Sequence, residues 1–269
     1  MPKIDVYEKP FYELLGERIE GEALEELLQS AKAQLDGREV DKGLLRIELN
    51  DTNRPDLWST AGLARELRLQ RRGKAPVYRF LSTPDASRDS GERLVTVDKA
   101  LRRIRPFIAA FVAQGPPITD AQLRDIIQSQ EKLCWNYGQK RKGIAMGYYR
   151  ADAVRYPVRY RAADPGATRF VPLDMSESMS LTEILERHPK GMEFGFALQG
   201  LERYPFLEDS AGEVLSFPPI INSARLGSVE IGDTTLFIEL TGGEINSLLL
   251  ATSIAACDLA DMGFKILPV

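Results

Sequence analysis

The order in which helical and strand spacing follow one another constrains this 269-residue chain most. Both periods occur, but never in the strand–helix–strand rhythm of a doubly wound parallel sheet, so the pattern predicts an α+β fold. KIDVY alternates as a strand, and FYELLGERI and GEALEELLQSAKAQL space their apolar residues as helices. In the second of these, Leu24, Leu27, Leu28, Ala31 and Leu35 share a face, and Gly37 is expected to close the helix. LLRIELN reads as a short strand, DTNRPDLWS as a turn, and STAGLARELRLQRRG as a helix with Ser59 as N-cap and Gly73 as stop. Residues 73–92 are rich in Gly, Pro, Ser and Asp and lack periodicity, which places a boundary between units 1–85 and 92–269.

In the second unit, LVTVD and RPFIAAFVAQG read as strands, and TDAQLRDIIQSQEKLCWNYG as a helix with an acidic first turn. GIAMGYYR and VRYPVRYR are strand-like, and SLTEILERHPKG is a helix capped by Ser180 or Thr182. LEDSAGEV is a turn, GSVEIG and TTLFIELTG are strands, and EINSLLLATSIAACDLADMG is a last helix.

Charge and composition exclude several classes. A net charge of −4 makes the whole protein no glove for nucleic acid, so any RNA contact must come from a local basic patch. No apolar run reaches 18 residues and MPKIDVYEKP is no signal peptide, so a cytoplasmic protein without membrane contact is expected. Cys134 and Cys257 make neither a disulfide framework nor a zinc pattern. The single histidine, His188, precedes a proline in a charged turn and is expected at the surface without chemistry. A lone histidine leaves no multi-His metal site and no Ser-His-Asp triad, so no metal is expected. Neither GxGxxG nor GxxxxGK[ST] occurs, and no cofactor is expected.

Two stretches carry candidate chemistry. In LSFPPIINS, two prolines precede an apolar pair that ends in Asn222 and Ser223. In FIELTGG, strand alternation puts Phe237, Glu239 and Thr241 on one face, so Glu239 and Thr241 would converge with Asn222 and Ser223 on a small pocket. Spacing alone favours a plainer reading of the same residues, a polar edge strand followed by a turn. The other stretch, QEKLCWNYGQKRKG at 130–143, sets aromatics beside Lys140, Arg141 and Lys142, which suits bases and phosphates. Helix C-termini also attract cations without any ligand. Periodicity turns Ile126, Ile127, Leu133 and Trp135 toward the core, and Cys134 reads as an inert small hydrophobe.

ELNDTNRPDLWSTAGLARELR at 48–68 resembles the N-terminal signature of the phenylalanyl-tRNA synthetase beta subunit. RPFIAAFV, QEKLCWNYGQKRKG, FVPL, ILERHPKG, VLSFPPIINS and FIELTG look like the archaeal and eukaryotic type of that subunit, in the same order, and the resemblance spans essentially the whole chain. It implies a small B1-like domain and a B3/B4 editing domain that hydrolyses tyrosine wrongly attached to phenylalanine tRNA. It further implies Glu239 as acceptor for the phenol, with Leu215, Pro218, Pro219 and Gly242 shaping the pocket. Asn222, Ser223 and Thr241 would assist an oriented water and the tRNA's ribose hydroxyl, and Lys140, Arg141 and Lys142 would meet the tRNA backbone. Phenylalanine tRNA and the alpha subunit are the implied partners. The family's beta subunit continues past the point matching Val269, so the chain is expected to be either a piece of a longer subunit or a free-standing relative, unable by itself to activate phenylalanine.

Two departures bear on activity. Cys134 and Gln139 stand where the family pattern has histidine and arginine, and GYYR at 147–150 replaces a histidine-bearing segment. The competing reading is a non-catalytic module that binds tRNA, a subunit or an aromatic amino acid without turnover.

Overall fold

The opening KIDVY does form a strand, β1 (Lys3–Tyr7), and its alternation buries Ile4 and Val6. A computed structural model of the chain describes residues 2–51, 53–82 and 91–269. The boundary expected between 85 and 92 therefore falls largely outside the described residues. After β1 come α1 (Glu8–Leu15), α2 (Glu22–Ser30), β2 (Ala33–Glu39), β3 (Leu44–Leu49), α3 (Thr60–Arg72) and the short α4 (Arg79–Ser82). Strands β1, β3 and β2 make an antiparallel sheet with β3 in the centre. Ser59 caps α3 by accepting from the Gly62 amide, and Gly73 ends it in the left-handed conformation, as the sequence predicts.

The second helix is shorter than its spacing predicts. Lys32 takes a positive φ of 53° beyond Ser30, and the chain continues as β2. Ala33 and Leu35 fit a strand's alternation as well as a helix face, so the apolar spacing there is ambiguous. Gly37 stops no helix; it sits at a register shift between β2 and β3.

From residue 91 the order is β4 (Val95–Val97), β5 (Phe107–Gln114), α5 (Asp120–Lys132), β6 (Ile144–Arg150), β7 (Val158–Ala163), β8 (Arg169–Phe170) and β9 (Met179–Ser180). Then come α6 (Leu181–Arg187), α7 (Pro189–Phe194), β10 (Tyr204–Glu208), β11 (Val214–Phe217), β12 (Ile221–Asn222), β13 (Thr235–Gly242), α8 (Ile245–Asp261) and β14 (Lys265–Pro268). One sheet runs β14-β5-β13-β6, entirely antiparallel. Another runs β12-β11-β10-β7-β4, where only β4 pairs in parallel. This mixture is the α+β class expected.

Strand β13 fixes the layering. Leu236, Ile238 and Leu240 join a core with α3, α5, α8 and the first sheet, while Phe237 packs with Tyr149, Tyr160, Leu207 and Leu215 between the two larger sheets. Glu239 therefore points into the space between sheets.

Two further expectations are corrected, and one strand is found that the sequence reading did not name. GSVEIG forms no strand: Gly232 has φ 97° and the Glu230 amide donates to Asp233, so the segment turns before β13. Periodicity does not single out β14, which pairs with β5. His188 is not at the surface but 3% exposed. Its Nδ1 accepts from the Lys190 amide and its Nε2 lies 3.1 Å from the Leu173 carbonyl, so the ring clamps the start of α7 to a neighbouring loop. Among the described residues no helix is long and apolar enough to cross a membrane.

Candidate functional site

Strand β6 is the last strand of its sheet, and a cavity of about 430 Å³ lies along its outer side. Ile126 and Gln130 of α5, Ala145 and Met146 of β6, and the 216–222 hairpin wall it. Glu239 reaches it from β13 and is only 3% exposed. The Tyr149 hydroxyl donates to Glu239 Oε1 at 2.9 Å and stands 3.4 Å from Asn222 Oδ1. Glu239 Oε2 has no hydrogen-bond partner among the described residues. Ser216 stands close enough to favour the charged carboxylate, but its Oγ makes no hydrogen bond either.

Burial pushes the Glu239 carboxyl up to about 7, against the opposing pull of the Tyr149 hydrogen bond and the Arg105 charge. Burial, and then the Glu239 charge, raise the Tyr149 phenol well above its usual value, so it remains a donor. Gly147 pairs opposite Glu239 on β6, and a Cβ there would strike the Tyr149 hydroxyl. The glycine makes room for the tyrosine that holds the acid.

Not every residue singled out in the sequence reaches this cavity. Pro218, Pro219, Asn222, Glu239 and Arg141 line it, and the Pro218–Pro219 peptide is cis. Leu215 lies in the core between the sheets, wholly buried. Ser223 Oγ donates to the Val214 carbonyl and accepts from the Leu226 amide, which ties the hairpin together. Thr241 is turned to Arg105: its Oγ1 accepts from Nε at 2.9 Å and its carbonyl from Nη2 at 2.6 Å. Gly242 allows close approach of the chain, since a Cβ would meet the Gly143 carbonyl at 2.8 Å.

The basic run follows a π-helical turn, Leu133–Tyr137, at the end of α5. Gln139, Lys140 and Arg141 all have positive φ, at 52°, 55° and 69°. Each such non-glycine residue costs roughly 1–2 kcal/mol, so the surroundings must enforce the shape. Arg105 does so from below, donating to the carbonyls of Arg141 at 3.3 Å and Lys142 at 2.8 Å. Arg141 itself donates to the Ile220 carbonyl at 2.8 Å and stacks 4.2 Å above the Phe194 ring.

Leu133 and Ile126 are buried as expected, but Ile127 and Trp135 are not; Trp135 is 44% exposed. The π turn changes the helical phase after Lys132, which accounts for Trp135. Cys134 is buried and its thiol is pushed up to about 11 by burial, which suits an inert side chain.

Sequence reasoning missed Tyr149, Ser216 and Arg105. The strand alternation of GYYR puts Tyr149 on the face of Gly147, but nothing local pairs it with an acid 90 residues away. Among the described residues no group of three His, Cys, Asp or Glu is placed to hold a metal.

No protein-family model matches the chain. It is 46% identical over 270 residues to the phenylalanine–tRNA ligase beta subunit of Borreliella afzelii, a match covering all of this chain and 47% of that protein. It is also 46% identical over 308 residues to the corresponding subunit of Treponema pallidum subsp. pallidum, covering all of this chain and 51% of that one. The chain thus spans about half the length of these curated relatives. A crystal structure of an N-terminal fragment of the phenylalanyl-tRNA synthetase beta subunit from Pyrococcus horikoshii superposes with a TM-score of 0.91 at 35% identity, covering 98% of this chain and 75% of that fragment. Sequence relatives and fold agree: the chain belongs to the phenylalanyl-tRNA synthetase beta-subunit family.

Proposed function

We propose that this chain carries an editing site that hydrolyses tyrosine wrongly esterified to phenylalanine tRNA. One observation carries the reading: the buried Glu239 carboxylate keeps an unpartnered oxygen at a cavity large enough for an aromatic side chain. An apolar phenylalanine pocket cannot strongly reject tyrosine, whereas a site built to hydrogen-bond the phenol can select it. Oε2 is already unpartnered in the free chain, so a tyrosine phenol would gain a hydrogen bond there that phenylalanine cannot make, and that gain separates the two esters.

The cavity's serine hydroxyls, Ser216 and Ser228, have no histidine among the lining residues to activate them, and the Cys134 thiol lies outside the lining. Water therefore attacks the ester carbonyl carbon, the bond to the ribose oxygen breaks, and a proton passes to that oxygen, releasing tyrosine and intact tRNA. Asn222, which lines the cavity, would orient this water. Ser223 and Thr241 act through the hairpin and through Arg105. Phenylalanine tRNA and the alpha subunit are the partners this reading requires.

The alternative, binding without turnover, draws on Tyr149: its phenol already occupies Oε1 of the acid. Single-turnover deacylation separates the two. With saturating protein, tyrosyl ester on phenylalanine tRNA should be released well above the uncatalysed rate while phenylalanyl ester is spared. Equal, background release of both would overturn editing and leave only binding.

A further inference from the structure

We infer that Trp135, Lys140, Arg141, Lys190 and Phe194 form a stacking seat for the last base of a single-stranded RNA 3′ end, beside the main cavity. The inference rests on the editing reading for the position of that base, since an aminoacyl ester is carried on the terminal ribose. Its geometry stands separately.

A hollow of about 250 Å³, bounded by Trp135, Asn136, Arg141, Lys190 and Phe194, shares Glu131, Arg141 and Lys190 with the larger cavity. The two are neighbours, one for an aromatic side chain and one for the group that bears it. The Trp135 ring meets Phe194 edge-on, with centroids 6.1 Å apart, and presents much of its surface to solvent. Cations surround the pair: Lys140 Nζ stands 5.3 Å from the Trp135 centroid, and Lys190 Nζ 5.4 Å from that of Phe194. The exposed Trp135 face with flanking cations suits a stacked base and its phosphates, because every base has a π-face, while the buried Phe194 braces the indole edge-on.

The backbone adds a second argument. Three consecutive non-glycine residues in the left-handed region, Gln139 to Arg141, are held there by Arg105. Such an over-determined conformation marks a surface whose shape matters to a ligand. It presents Lys140 above Trp135 and Arg141 above Phe194 from the same turn. Glu131 and Asn136 on the wall supply an acceptor and an amide for the edge of a splayed-out base. Glu193 also lines the hollow, but it is paired with Lys190 at 3.1 Å. With a net charge of −4, the molecule has no general attraction for RNA, so binding must be local and depend on the ring.

The test uses the 269-residue chain and a 5′-labelled RNA hairpin with a single-stranded CCA 3′ end, followed by fluorescence anisotropy. W135A should weaken binding by roughly ten-fold or more, W135F should keep most of it, and an abasic 3′ nucleotide should reproduce the W135A loss. K140A should weaken binding and lower its salt dependence by about one phosphate contact. Both positions are exposed enough that the variants should melt with the wild type. Unchanged affinity in W135A, or equal affinity for the intact and abasic ends, overturns the seat. Tyrosine release by wild type with an unchanged KM in W135A overturns the seat and spares the editing reading. Trp135-dependent binding without any tyrosine release supports the seat and overturns editing.

Discussion

Glu239 is held between two demands. A carboxylate can accept a phenol's proton strongly only when charged, yet burial favours its neutral form and brings its pKa to about 7. On the editing reading we propose, discrimination between tyrosyl and phenylalanyl esters should therefore rise as the pH climbs from about 6 to about 8. Glu239→Gln keeps the shape and an acceptor oxygen but removes the charge. It should lower the tyrosine preference by about 1.5–3 kcal/mol and flatten the pH profile. Single-turnover deacylation of both esters across that range checks this. A parallel loss for both esters would show that the residue does not read the phenol. The acid itself was legible in the sequence, because an isolated Glu inside FIEL breaks an otherwise apolar strand. Its donor was not: Tyr149 meets it only through the register that sets Glu239 opposite Gly147. Thr241 shares the face but lies under Arg105, since alternation gives direction and says nothing of what a face meets.

The turn after the π-helical residues behaves as an element of its own. Its three left-handed residues would relax without Arg105, whose guanidinium spans four acceptors on Arg141, Lys142 and Thr241. Arg105 is buried, with no carboxylate in hydrogen-bond contact among the described residues, so its charge is offset by carbonyl dipoles and the more distant Glu239. Lysine cannot reproduce that fork. Arg105→Lys should lose about 2–3 kcal/mol of stability, the cost of leaving buried carbonyls unpaired. Trypsin should cut the variant faster than wild type at Lys140, Arg141 or Lys142, because the turn would open locally. Equal cleavage rates would show that the turn holds itself. At this scale the sequence was readable where a pattern had one solution. The Ser59 and Ser180 caps, the β5 and β13 runs and α8 all fall where expected. It misled where two solutions fitted, as with Ala33 and Leu35, or where burial depends on a distant contact, as with His188.

The whole molecule is joined by a buried polar junction between the start of α3 and helices α5 and α8. Thr60 donates to Asp125 through its amide at 2.9 Å and its hydroxyl at 2.8 Å, and Ser59 donates to Asp258 at 2.7 Å. Arg65 bridges Asp258 and Asp261. These bonds link the two units we propose from composition, and the hydrophobic cluster around them runs from Ile4 to Phe264. Asp125 Oδ2 has no hydrogen-bond partner among the described residues. Burial, with the like charge of Asp258 as a lesser cause, raises the Asp125 carboxyl to about 7 despite the two bonds from Thr60. A carboxyl whose pKa is raised on folding stabilises the fold below its unfolded value of about 3.9, and that stabilisation is lost as the pH rises through about 7. Between about pH 5 and 8 this residue alone should cost about 2–3 kcal/mol. Asp125→Asn keeps an oxygen for Thr60 and carries no charge, so its unfolding free energy should change less over that range than the wild type's. Urea unfolding at three pH values across that range measures the difference. Glu239 contributes a slope of the same sign and remains in the variant, so a residual dependence is expected. An undiminished slope would mean that Asp125 is already charged in the fold, with Thr60 sufficient to hold it so.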